Sequence, residues 1–125
     1  MPPRILAAVF LAVMGAAVAC FWAAAATRKT PRRHVRWALL GAGLDVTGTL
    51  AVVVTSRLLG WHVPAAVPDV AAVHRVFAYV ATALLAVQAA TGFARARPHA
   101  ALGVVFLAVV TATYALAIWA YGLGG

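Results

Sequence analysis

The sequence predicts an all-α fold: an integral membrane bundle of four helices in up-down order, with both chain termini on the outer side. Composition is the first reason. Hydrophobic residues make up 66% of the chain and charged residues 10%, against about 45–50% and about 25% in ordinary soluble domains, and the mean hydropathy is +0.99. A water-soluble protein of 125 residues keeps most of its residues near the surface and has no interior large enough for so much apolar side chain. The second reason is segmentation: four apolar runs each approach the about 20 residues needed to cross the hydrocarbon core. The third is that the cations lie between those runs and favour alternate connections. The whole chain, 1–125, reads as one transmembrane domain.

The spans are 5–26, 37–56, 73–94 and 100–121, and each has a marked boundary. Arg4 precedes the first, and Thr27-Arg28-Lys29 ends it. Arg4 with the following apolar stretch and Ala17-Val18-Ala19-Cys20 resembles a signal peptide, but the run continues to Ala26 before its basic stop, so it reads as a retained helix. Thr30 before Pro31 reads as an N-cap with proline at the first helical position, and Pro98 is expected to open the fourth span in the same way. Pro64 and Pro68 break the middle connection. Small residues four apart on the first span, Ala12 with Ala16 and Gly15 with Ala19 and Ala23, are expected to let helix backbones approach closely.

Orientation follows from the cations. Arg28, Lys29, Arg32, Arg33 and Arg36 occupy the first connection and Arg95 and Arg97 the third, seven in all. Arg4, Arg57 and Arg75, with Asp69, lie on the other side. The positive-inside rule then places the first and third connections in the cytoplasm. A formal net charge of +8 is accounted for by these turns, and a chain with no exposed folded surface for reading a groove is not expected to bind nucleic acid. Cys20 is the only cysteine, which excludes an intramolecular disulfide and a cysteine-based metal site. No His-x-x-x-His pair or acidic cluster suggests zinc or di-iron, and no Ser-His-Asp or Cys-His arrangement suggests hydrolysis, so no enzyme activity is read.

Ionisable and polar groups inside spans are costly and tend to be functional. Asp45 is the only acid in any span. It follows His34 by eleven residues, a rotation of about 20° and an advance of about 16 Å along a helix. A carboxyl group at that depth should face the interior and needs a proton, a cation or a hydrogen-bond donor there. Thr47, Thr49, Thr82, Gln88, Thr91, Thr111, Thr113 and Tyr114 are the candidate donors to meet it. Span, basic turn, Pro, His, span occurs twice, around Pro31 and His34 and around Pro98 and His99. In an up-down bundle the second and fourth helices run parallel on a diagonal, so His34 and His99 can meet at one depth, as two axial ligands of a haem do. His74 opens the third span at the outer side, with His62 in the loop before it, a second place for a metal or a haem edge.

At His74 the sequence resembles a known family. Val73-His74-Arg75-Val76-Phe77-Ala78-Tyr79-Val80 is similar to the Val-His-Arg-x-x-Ala-Tyr-Leu stretch that opens a haem-ligating helix in haem A synthase, a family of two four-helix bundles with a histidine pair in each. Arg97-Pro98-His99-Ala100-Ala101-Leu102-Gly103 is similar to the His-x-x-Leu-Gly helix starts of transmembrane b-type cytochromes. The layout of nearly the whole chain resembles small four-span proteins implicated in assembling haem-copper oxidases, which carry aromatics on the fourth helix as Tyr114, Trp119 and Tyr121 do here. Trp119 and Tyr121 stand where the synthase pattern has its second histidine, and Asp69 is the one carboxylate near His74, so the synthase activity is not carried over.

These resemblances imply a multi-pass protein of the bacterial cytoplasmic membrane that binds haem b or a related haem, or assists a larger respiratory complex in electron transfer or assembly. His74 would be the lead axial ligand, with Arg75 beside a haem propionate, and His34 with His99 the second-choice pair. Two other readings remain open. One is a cofactor-free subunit packed in a larger complex; the other is a proton- or solute-conducting bundle using Asp45 and Gln88, which requires a homo-oligomer because four helices enclose little space.

Overall fold

The computed structural model describes residues 2–122. Four long helices account for most of them: α1 Pro3–Ala26, α2 Pro31–Arg57, α3 Pro68–Phe93 and α4 His99–Ala117, the last continuing as a π-helical turn, Ile118–Gly122. No strand occurs among the described residues. All four helices are long and apolar enough to cross a membrane. At about 1.5 Å per residue, the 24 residues of α1 and 27 of α2 exceed the about 30 Å of a hydrocarbon core.

Helix boundaries extend the sequence-based spans, and proline is the reason. Pro3, Pro31 and Pro68 each stand in the first turn of a helix, where the missing N–H is not needed. Pro68 therefore opens α3 five residues before the expected start. Pro98 departs from expectation: it is the N-cap residue itself, with helical dihedrals, and α4 begins at His99. Thr30 has the extended dihedrals of an N-cap, but its hydroxyl makes no capping hydrogen bond. His34 thus lies in the second turn of a longer α2, whereas His99 is the first residue of α4.

α1 packs along α2, α3 along α4, and the two pairs join through α1 and α4; α2 and α3 make no comparable contact. The join is built from Phe21 and Phe106, edge to face with centroids 4.8 Å apart, together with Ala17 and Val110. Trp22 Nε1–H adds a hydrogen bond to Thr111 Oγ1 at 3.1 Å. The expected small-residue stripe holds in part: Gly15 receives the Tyr114 phenol and Ala23 is half-buried. Ala12, Ala16 and Ala19 are exposed, while Ala17, Cys20, Phe21 and Ala24 are buried, because α1 is covered on the faces toward α2 and α4. On α2 the buried face is Gly41, Asp45 and Gly48. A Cβ at Gly41 would stand 2.9 Å from the Phe21 ring, and one at Gly48 2.7 Å from Met14 Sδ. Large apolar side chains such as Tyr79 and Val76, 76% and 60% exposed, point away from the helix contacts, as hydrocarbon-facing side chains do.

The connection from α2 to α3 leaves at Gly60, in the left-handed region at φ +66°, with Trp61 N–H returning to the Thr55 carbonyl at 2.9 Å. Its far end is tied to the π-helical turn: Ala66 N–H donates to the Ala120 carbonyl at 2.8 Å. Gly41→Ile is expected to lower the thermal midpoint in detergent, at a cost of about 1–3 kcal/mol for overpacking. Gly43→Ala, where a Cβ meets nothing within 4 Å, should leave that midpoint in place.

Candidate functional site

Two turns create the site. The turn through Thr27-Arg28-Lys29-Thr30 brings α2 back along α1 so that His34 lies beside the last turn of α1. The final carbonyls of a helix lack intrahelical partners. His34 Nδ1–H takes one of them, donating to the Ala24 carbonyl at 2.7 Å. A carbonyl oxygen only accepts, so the neutral His34 ring carries its proton on Nδ1 and leaves Nε2 with a lone pair.

The second turn ends α3 in a Schellman motif: Ala96 N–H bonds the Thr91 carbonyl at 2.9 Å and Arg95 N–H the Gly92 carbonyl at 3.1 Å. This returns the chain so that His99 packs back over α3. A Cβ at Gly92 would lie 2.9 Å from His99 Cε1, so only glycine leaves the ring its place. Thr91 Oγ1 donates to the Gln88 carbonyl at 3.2 Å and lies 3.2 Å from His99 Nδ1. With its proton committed, the hydroxyl accepts from Nδ1–H, which again leaves Nε2 with the lone pair. Gln88 Nε2 donates to the His99 carbonyl at 3.2 Å and stands 3.5 Å from His99 Nε2, the outer limit of a hydrogen bond. Gln88 Oε1 is buried with no partner among the described residues.

The two imidazoles meet, their ring centroids 6.2 Å apart and their planes at 85°. They line a cleft of about 820 Å³ that all four helices border, within the about 300–1,000 Å³ of small-molecule and cofactor sites. Phe21, Phe106, Leu39, Leu85 and Leu107 supply apolar walls, and Arg28, Lys29, Arg95 and Arg97 line the end nearest the turns. Neither acid of the chain, Asp45 or Asp69, borders it.

The spacing of the two rings suits a pair of imidazoles on one haem iron. Two imidazole–metal bonds of about 2 Å each, with the inner radii of two five-membered rings, span about 6 Å, the separation seen here. A backbone or hydroxyl oxygen on Nδ1 is the outer partner that metal-bound histidine usually has.

His74 lies elsewhere. Its Nδ1–H donates to the Thr113 carbonyl at 3.0 Å, one turn before the π-helical segment, and its ring meets Tyr121 edge to face at 5.9 Å. Tyr121, on the π-helical turn, is thus the aromatic side chain that meets His74. Arg75 is exposed, His62 is exposed in the connection, and none of the three borders the cleft.

Asp45 is 8% exposed on the α2 face that packs against α1. Among the described residues no hydrogen bond or ion pair reaches it. Thr82 and Thr113 bond carbonyls of their own helices, and Thr111 accepts from Trp22. Gln88 is engaged with His99, so the structure does not bring Asp45 and Gln88 together. Tyr114 packs its phenol over Gly15, where a Cβ would meet the hydroxyl oxygen at 2.6 Å. Among the described residues no three His, Cys, Asp or Glu side chains gather as a metal cluster. No family model, curated protein or solved structure matches this chain.

The tautomers are directly measurable. In ¹⁵N spectra of histidine-labelled protein at a pH where the rings are neutral, His34 and His74 are expected to show a protonated Nδ1 and a bare Nε2. Nε2–H signals for both would contradict the carbonyl hydrogen bonds.

Proposed function

We propose that this chain is a haem-binding protein of a bacterial cytoplasmic membrane, holding a b-type or related haem in the cleft between its two helix pairs and serving a respiratory complex as electron carrier or assembly factor. In this reading the helices alternate up and down, the termini face outward, and the two basic turns face the cytoplasm, as the cation bias favours. The observation that carries it is the His34–His99 pair at 6.2 Å, each ring held through Nδ1, within an apolar cleft whose rim is cationic.

The pair replaces His74 as the leading ligand set, because His74 faces Tyr121 outside the cleft. His34 and His99 would hold the haem, which would supply reversible one-electron chemistry. The protein's own groups do the rest. Ala24 and Thr91 orient the rings, the phenylalanines and leucines exclude water, and the Arg and Lys side chains receive anionic groups. Gln88 stands beside His99 Nε2 on a long contact that yields readily. The conducting reading draws no support from the separate positions of Asp45 and Gln88.

Protein purified in detergent with haem is expected to show a Soret band of a six-coordinate species. His34→Ala or His99→Ala should abolish or shift it, while His74→Ala should retain it. A protein that stays colourless after haem supplementation would overturn the proposal and favour the cofactor-free subunit. Loss of the band in the His74 variant alone would return the site to the outer end.

A further inference from the structure

Arg95 has a backbone conformation that its side chain disfavours. It occupies the C′ position of the Schellman motif ending α3, at φ +51°, where glycine is the usual residue because a Cβ crowds the neighbouring carbonyl. Among the described residues it is the only non-glycine with positive φ. The chain contains 10 glycines, and among the described residues one of them, Gly60, takes a left-handed conformation, shortly after α2. Packing does not explain the arginine, since its side chain is exposed. No hydrogen bond or ion pair engages its guanidinium among the described residues. It does border the cleft, with Arg28, Lys29 and Arg97 from the same two turns and no carboxylate to neutralise them.

We infer that Arg95 is the anion-recognition residue of this cleft, its guanidinium receiving a carboxylate of the amphiphilic ligand whose apolar body lies between α2 and α3. The inference rests on the haem reading and adds which edge of the ligand is recognised and by which side chain. A guanidinium presents a planar fork of donors that matches a carboxylate in two parallel hydrogen bonds, which neither an ammonium group nor glycine can do. Backbone strain retained at one residue, where that residue borders a ligand cleft, is the pattern expected where binding outweighs local stability. Arg28, Lys29 and Arg97 sit on unstrained backbone and add to the positive potential.

The test compares haem b with its dimethyl ester, which keeps the iron and macrocycle but lacks the carboxylates. Each is titrated into wild-type protein, R95G and R95K in detergent and followed at the Soret band. Wild type is expected to prefer the free acid by about tenfold or more, the range of a charge-assisted hydrogen bond. R95G should bring that preference close to one while raising the thermal midpoint of the haem-free protein, because glycine relieves the left-handed backbone. R95K should keep part of the preference without the gain in midpoint. Full preference for the acid in R95G, or equal binding of acid and ester by wild type, would overturn the role of Arg95 while leaving the histidine site standing. Failure of wild type to bind either compound would overturn the haem reading and the inference with it.

Discussion

A helix leaves its last carbonyls without intrahelical partners, and where a neighbouring helix covers them the protein itself must satisfy that demand. Much of this molecule follows from how that demand is met. Thr27 returns its hydroxyl to the Ala23 carbonyl, 2.7 Å away, and His34 reaches across from the next helix to Ala24. The Schellman bonds close α3, and the Ala120 carbonyl of the π-helical turn accepts from the α2–α3 connection. A histidine that satisfies a carbonyl does two things at once: it joins two elements and it fixes which ring nitrogen carries the proton. Structural satisfaction and preparation of a ligand nitrogen are here the same hydrogen bond.

The site inherits its geometry from two turns of different construction. His34 comes from the second turn of a proline-started helix, and His99 is the first residue after a proline N-cap. Their rings nevertheless converge, because each is anchored within its own helix pair. Glycine supports the arrangement: Gly92 makes room for the His99 ring, and a Cβ at Gly103 would stand 2.8 Å from Gln88 Nε2. Among the described residues Gln88 Oε1 is a fully buried side-chain atom with no partner, and it lies in the residue that adjoins His99 Nε2.

Some of this was legible in the sequence and some was not. Helix number followed from composition and length, since a bilayer demands about 20 apolar residues per span. The repeated Pro-His pattern identified His34 and His99 as partners, and the structure brings their rings together. Helix ends were harder to read, because proline at N1 extends a helix into a polar segment that hydropathy assigns to a loop, as at Pro68. The face of a nearly all-apolar helix is also hard to read: with alanine on every side, periodicity could not separate exposed Ala12 and Ala16 from buried Ala17 and Ala24. Arg95 had a signal of a kind, the absence of glycine where the end of α3 calls for one. Recognising it required knowing where that helix stops.

The lack of packing between α2 and α3 has a mechanical corollary. Both imidazole anchors are internal to a helix pair, His34 on α1 and His99 on α3, whereas only the α1–α4 seam with Phe21, Phe106 and Trp22 links the pairs along their length. The molecule is hinged like a book along its spine, with one histidine on each facing page. A small rotation about that spine alters the gap between the rings while every bond that orients them stays intact.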